Sequence, residues 1–266
     1  MPHINLPRLE ILKIKNEQYV RRIISNYSIP HIAYQVAFRV ANQLRLLLQD
    51  WTTPYVPQIV PTGSLVKGTS IKGTTDIDLL ISLPSTYPDT RKDIYRSLAD
   101  YLKACGFAVR EQNVSIGITY KGVSIDLIPA KRQPRSIYDH SIYRRKANTW
   151  TKTNVHRHVV LVKQSGRIPE IKAIKIWRNL QGLEFPSFYL ELSVINALHG
   201  QKNNRISLNL MTIFQYLASV FVDARIVDPS NSNNIISDDL SNKEKQAIAK
   251  MADLVLSQPY WNSIIW

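Results

Sequence analysis

Two acidic residues separated by a single residue, Asp76-Ile77-Asp78, open an apolar run, Leu79-Leu80-Ile81-Ser82-Leu83. If that run is a strand, its period of two puts both carboxylates on one face, with about 7 Å between their Cα atoms. Carboxylates so placed repel one another unless a cation neutralises them, and the hard cation that takes oxygen ligands and also meets phosphate is Mg²⁺. A third acid, Asp126, lies in Val123-Ser124-Ile125-Asp126-Leu127-Ile128, where Val123, Ile125 and Leu127 alternate onto one face and leave Asp126 on the other. Three such acids suit two metal ions about 3.5–4 Å apart, which together activate an attacking hydroxyl and stabilise a pyrophosphate leaving group. Asp76, Asp78 and Asp126 are therefore the candidate catalytic and metal-ligating residues. Upstream, Gly63 lets the backbone approach a triphosphate, and Ser64 offers it a hydroxyl and an N–H. An Asp-x-Asp pair alone is more often a solvated or capping pair. Its coincidence with the Gly-Ser pair and with the later strand Asp is what makes phosphate chemistry the better reading.

The elements that must position these residues follow from patterning. Ser28-Ile29-Pro30 reads as a helix start, and Ile32, Val36, Ala37, Val40, Leu44 and Leu47 continue at helical spacing to about Gln49. The Gly-rich stretch 63–73 reads as a loop or a short helix entry, 76–83 as a strand, and 89–105 as a helix closed by Gly106. Three β-prone runs follow at 107–110, 115–120 and 123–128, with Lys121-Gly122 as a tight turn between the last two. From Pro169 onward the runs are helical, and the last begins on a capping-box pattern, Ser241-Asn242-Lys243-Glu244. The expected architecture is an α/β catalytic lobe over 1–150 with a long N-terminal helix, and a mainly helical lobe over 151–266, with a central cleft. The Lys172, Lys175 and Arg178 side of the helix containing Ile171, Ile174 and Trp177 is a candidate phosphate-binding stripe or an ordinary exposed basic face. Ser187, after Pro186, is a candidate anion contact or N-cap, and Phe188 and Tyr189 are core aromatics or base-stacking ones.

The motif set resembles the polymerase β-like nucleotidyltransferases, whose signature is Gly-Ser, a spacer, Asp-x-Asp with apolar residues after it, and a third Asp on a later strand. Glu170–Trp177, Phe185–Leu192 and Val227–Asn234 look like the helical-lobe motifs of one branch. That branch holds the oligoadenylate synthetases, the bacterial cyclic-oligonucleotide synthases (CD-NTases) and, more distantly, the archaeal-type CCA-adding enzymes. The resemblance covers most of residues 30–266. It implies Mg²⁺ as cofactor, two ions with Mn²⁺ able to substitute, NTP substrates with ATP as the expected donor, and Lys175 and Ser187 holding the donor triphosphate. His156 matches a family His that does the same in the CCA-adding branch. The implied activity is template-independent joining of NTPs into short or cyclic oligonucleotides, which in bacterial relatives are second messengers of antiphage defence. The alternative it leaves is a terminal nucleotidyltransferase acting on RNA or tRNA 3′ ends.

Charge bears on that alternative. The 266 residues carry 34 Lys and Arg against 20 Asp and Glu, a formal charge of +14. Residues 131–178 hold thirteen Lys and Arg against Asp139 and Glu170 alone, a balance of +11. Such a segment is a solvated basic surface or a contact for RNA or other nucleic acid, since a polymer acceptor needs many phosphate contacts. A cationic small-molecule acceptor fits it poorly, and a binding module without activity fits poorly with all three acids retained. The lone Cys105 excludes an intramolecular disulfide and favours a reducing, cytoplasmic setting. The first residues lack the pattern of a secretory leader, and the longest apolar stretch, 210–222, is too short and too interrupted to span a membrane. His3, His31, His140, His158 and His199 show no zinc-ligand spacing, and Ser64 has no triad partners in sequence context.

Overall fold

The computed structural model describes residues 6–30, 32–73, 76–202 and 204–266, so the leader reading over 1–5, His3, His31 and the Thr74-Thr75 step of the motif fall outside the described residues. Along the chain run α1 (Leu6–Tyr27), α2 (Ile32–Gln49), β1 (Gln58–Pro61), α3 (Gly63–Lys67), β2 (Ile77–Leu83), α4 (Arg91–Ala104), β3 (Arg110–Glu111), β4 (Ile116–Tyr120) and β5 (Val123–Arg132). There follow β6 (His140–Arg144), β7 (Thr149–Thr153), α5 (Val155–Gln164), α6 (Ile168–Leu180), α7 (Ser187–Ala197), α8 (Ile206–Ser219), β8 (Val227–Asp228), β9 (Asn231–Ile235) and α9 (Asn242–Leu256). The chain divides into two compact units, one of residues 29–161 with 229–234 and one of 1–28, 162–228 and 235–266.

In the first unit the described strands form a seven-stranded sheet in the order β1-β2-β5-β4-β3, with β6 pairing β5 and β7 pairing β6. Among these described pairings only β2 and β5 are parallel. Alternation along these two central strands decides what each face carries. Leu79, Ile81, Ile125 and Leu127 pack with Ala37, Val40, Leu44 and Leu48 of α2 and Leu98 and Leu102 of α4 in one apolar core. The other face carries Asp78 and Asp126, paired across β2 and β5, then a small apolar cluster of Leu80, Ala130 and Ile142. α4 starts where Thr90 Oγ1 accepts the Asp93 backbone N–H at 3.2 Å and ends before Gly106, whose φ of +85° lets its N–H reach Lys103 O.

Several expectations shift. Ser28 does not open α2, whose range is Ile32–Gln49; its hydroxyl donates to Ile24 O at 2.8 Å and so closes α1. The run 107–110 is a strand only at Arg110. The polar, basic stretch 140–153 folds as the β6–β7 hairpin, with β7 pairing β6 from Thr153 opposite His140 to Thr149 opposite Arg144.

The second unit is helical. α1 packs against α6 and α8, and Glu17 of α1 accepts the Ile206 and Ser207 backbone N–H groups at 3.1 and 2.9 Å, satisfying two of the donors that the start of α8 leaves open. Trp177 and Phe214 meet edge-on in its core, beside a cluster of Phe185, Tyr189 and Phe221. Tyr189 is fully buried there, so it is a core aromatic and not a base platform. The capping box at Ser241 and Glu244 forms as its sequence predicts.

Candidate active site

β2 and β5 run parallel with Asp78 directly opposite Asp126, and Asp76 precedes Asp78 by one strand repeat on the same face. The turn before α3 is built around Asp78. The Thr62 N–H donates to Asp78 O at 2.9 Å, and Gly63 follows with φ of +69°. A Cβ at Gly63 would lie 1.7 Å from Asp78 Oδ2, so the glycine exists to let this carboxylate stand against the backbone. The Tyr34 hydroxyl of α2 donates to Val66 O, and Gly68 in the left-handed region ends the five-residue α3. Ser64 O accepts the Thr69 N–H at 2.9 Å, and the Ser64 and Ser70 hydroxyls lie 3.0 Å apart. Gly63, Ser64, Asp76, Asp78 and Asp126 are thus gathered in one unit, on β2, β5 and the turn that leads into β2.

Two residues that the sequence reading missed complete the local charge balance. The Arg110 guanidinium lies 4.0 Å from both Asp76 Oδ2 and Asp126 Oδ1, and the Gln112 amide donates to Asp126 Oδ1 at 2.9 Å. Gly117, opposite Asp126 on β4, makes room for them; a Cβ there would meet Arg110 Nη2 at 2.9 Å. Burial first, and then the Asp76 charge, push the Asp126 carboxyl above its ordinary value, against the pull of Arg110 and Gln112. A signal for these residues existed in the i, i+2 spacing of Arg110 and Gln112, but only the pairing of β3 with β4 and of β4 with β5 gives it meaning.

These groups fit a divalent cation. The donors are carboxylate oxygens, the buried acid is held in unfavourable charge by its neighbour, and a positive group already stands between two of the acids. Among the described residues the three carboxylates are not drawn into one tight ligand cluster, and Arg110 lies between Asp76 and Asp126.

The other candidate residues are placed as follows. Lys175 is buried in the helical unit, its ammonium 2.8 Å from the buried Glu191 carboxylate. Lys172 donates to Ser28 Oγ at 3.2 Å, and Arg178 donates to Phe185 O and Ser187 Oγ at 2.8 and 3.0 Å. The three cations therefore do not form one exposed stripe. Ser187 is exposed at the first position of α7 with Pro186 before it as the cap, so it is not the N-cap. His156 sits in the sheet unit at the start of α5, its ring stacked on Tyr138.

Comparison with known proteins accords with this geometry. Residues 41–144 match the family model described as a nucleotidyltransferase domain. A cyclic AMP-AMP-AMP synthase of Escherichia coli (strain MS 115-1) is 25% identical over 215 residues, covering 73% of this chain and 67% of that protein. A CCA-adding enzyme of Methanosarcina barkeri (strain Fusaro / DSM 804) is 30% identical over 188 residues, covering 65% of this chain and 38% of that protein. The solved structure of E. coli MS115-1 CdnC with ATP superposes with a TM-score of 0.76 at 20% identity, over 94% of this chain and 97% of that one. The resemblance drawn from the motifs is borne out: the fold is that of the polymerase β-like nucleotidyltransferases, and the relatives are of the CD-NTase and CCA-adding kinds. Together they support a nucleotidyltransferase. Among the described residues no helix is long and apolar enough to cross a membrane.

Proposed function

We propose that this chain, with its nucleotidyltransferase domain over residues 41–144, is a divalent-metal-dependent, template-independent enzyme that joins NTPs into short or cyclic oligonucleotides. The observation that carries the reading is the Asp78–Asp126 pair on adjacent strands, with Asp76 beside it and Gly63 yielding its Cβ space to Asp78. Asp76, Asp78 and Asp126 would hold Mg²⁺ or Mn²⁺, which when bound supplies charge neutralisation at the attacking hydroxyl and at the departing pyrophosphate.

The chain's own residues do the rest. Asp126, anchored by Gln112, would help activate the acceptor hydroxyl as a metal ligand or as a base. Gly63 and Ser64 present backbone N–H and hydroxyl to the triphosphate, and Lys175, Ser187 and His156 are assigned to nucleotide binding, ATP being the expected donor. Release of such products as second messengers in antiphage defence, in the cytoplasm, is the biological setting this reading carries. It draws on the similarity to a synthase named for cyclic AMP-AMP-AMP.

A second reading, addition of nucleotides to RNA or tRNA 3′ ends, is favoured by one observation. Arg144, Arg145, Lys146 and Lys152 lie in and around the β6–β7 hairpin of the +11 segment, where phosphate contacts would be collected. Incubation with Mg²⁺ and four NTPs, with and without total tRNA, followed by mass spectrometry separates the two. New short or cyclic oligonucleotides made without RNA support the first reading, and mass added only to tRNA overturns it in favour of the second.

A further inference from the structure

On the face of the sheet that carries Asp78 and Asp126, a cavity of about 460 Å³ opens one strand repeat further along β2. Its floor is Val60 and Leu80, which pair across β1 and β2, and its roof is Val155 and Val159 of α5. One wall is an aromatic pair, Tyr138 and His156, with ring centroids 4.3 Å apart and planes 18° apart. Tyr138 remains half exposed, which leaves that wall open to an entering ring. The volume lies within the range of ordinary small-molecule sites, and flat apolar walls beside stacked rings are what a planar heterocycle fills.

One end of this cavity is polar, and it offers donors. Arg132 Nη2 donates to Gln58 Oε1 at 2.9 Å and to Ser82 Oγ at 3.3 Å, while Arg132 Nε is buried with no partner among the described residues. His140 fixes the direction of this network. Its Nδ1 lies 2.9 Å from Tyr138 O, a pure acceptor, so Nδ1 carries the hydrogen and Nε2 accepts from the Ser82 hydroxyl at 2.8 Å. Gln58 Oε1 is engaged by the guanidinium, so this end has N–H groups left to give and little left to accept with.

We infer that the cavity is the base pocket for the acceptor nucleotide and that it selects an oxo-substituted base, guanine or uracil, over adenine. The inference rests on the nucleotidyl-transfer reading above, and it adds the identity of one substrate. A base stacked over Leu80 beside Tyr138 and His156 sits about 7 Å along the strand from Asp78, the order of distance that separates a base from its own ribose hydroxyls. Its carbonyl edge meets Arg132 and Gln58, which adenine would confront with an amino group. The apolar walls suit neither a triphosphate nor a metal, so His156, which the family resemblance puts on the donor triphosphate, stands against a base in this inference instead.

Calorimetric titration of the full chain with GMP and with AMP tests this, because the two differ only in the base. GMP should bind at least about tenfold more tightly than AMP. Tyr138→Ala should weaken GMP about tenfold, and Arg132→Met should abolish the difference between the two nucleotides. His156→Ala, whose loss of stacking should weaken both nucleotides, serves if Arg132→Met melts early. Equal binding of GMP and AMP, no binding of either, or variants with unchanged melting and unchanged affinities would overturn the inference. Asp78→Asn separates the two readings: GMP binding should survive it while NTP turnover does not. GMP binding of this pattern in a protein that turns over no NTP would sink the nucleotidyl-transfer reading and leave the pocket standing.

Discussion

Replacing Gly63 with alanine tests whether Asp78 is held where the chemistry needs it. The added Cβ would lie 1.7 Å from Asp78 Oδ2, 2.4 Å from Cγ and 2.7 Å from Cβ, all far inside van der Waals contact. The backbone there has φ of +69°, a conformation that costs an L side chain about 1–2 kcal/mol before any collision is counted. Two relaxations are open: Asp78 swings its carboxylate off the Asp126 side of the sheet, or the turn before α3 gives way. Either moves a reacting group by an ångström or more, which is worth about 100-fold in turnover. Gly106→Ala is the matched control, since Gly106 has φ of +85° but a Cβ there would meet nothing within 4 Å. Pyrophosphate release from NTPs with Mg²⁺, alongside thermal melting, reads both effects. Similar melting in the two variants with turnover lost only in Gly63→Ala is expected. Turnover in Gly63→Ala within two- to threefold of the control would refute the claim that this glycine serves the position of Asp78.

Other expectations follow from the same charges. Because the folded-state pKa of Asp126 is raised, its contribution to stability is present below its ordinary value and lost as pH rises through the raised one. Asp126→Asn should therefore leave the melting temperature at neutral pH unchanged or higher, with a smaller difference from wild type in acid, while turnover is abolished; a lower melting temperature at neutral pH would contradict this. Removing one partner of the buried Lys175–Glu191 pair leaves a buried charge, so Lys175→Met should cost about 3–5 kcal/mol of folding stability, and Lys175→Met with Glu191→Leu should recover most of it by denaturant titration. Failure of the double variant to recover would show that the pair is not the reason Lys175 is buried.

What could be read from the sequence was what local patterning controls. The alternation in 76–83 and 123–128 put the three aspartates on one side of two strands, and the capping box and the α2 stripe came from side chains close in sequence. Long-range pairing was not legible. Arg110 and Gln112 gain their meaning only when β3 pairs with β4 and β4 with β5, and the β6–β7 hairpin hid behind charged residues because its outward positions have no apolar alternation. The burial of Lys175 was missed for the opposite reason: its helix is buried on most sides although it carries several charged residues, and a lysine near Ile171, Ile174 and Trp177 looked exposed by residue type when its partner, Glu191, came from the next helix. The packing of Asp78 against Gly63 was not legible either, since it depends on β2 meeting the turn before α3.

The most direct test is NTP turnover by purified protein, wild type against Asp78→Asn, in Mg²⁺ and in EDTA, with melting curves for both chains. Wild-type protein releasing pyrophosphate only with the metal present, and a folded Asp78→Asn releasing none, is the predicted result. Turnover that survives in a folded Asp78→Asn, or that persists in EDTA, would contradict the assignment of the aspartates as the catalytic centre.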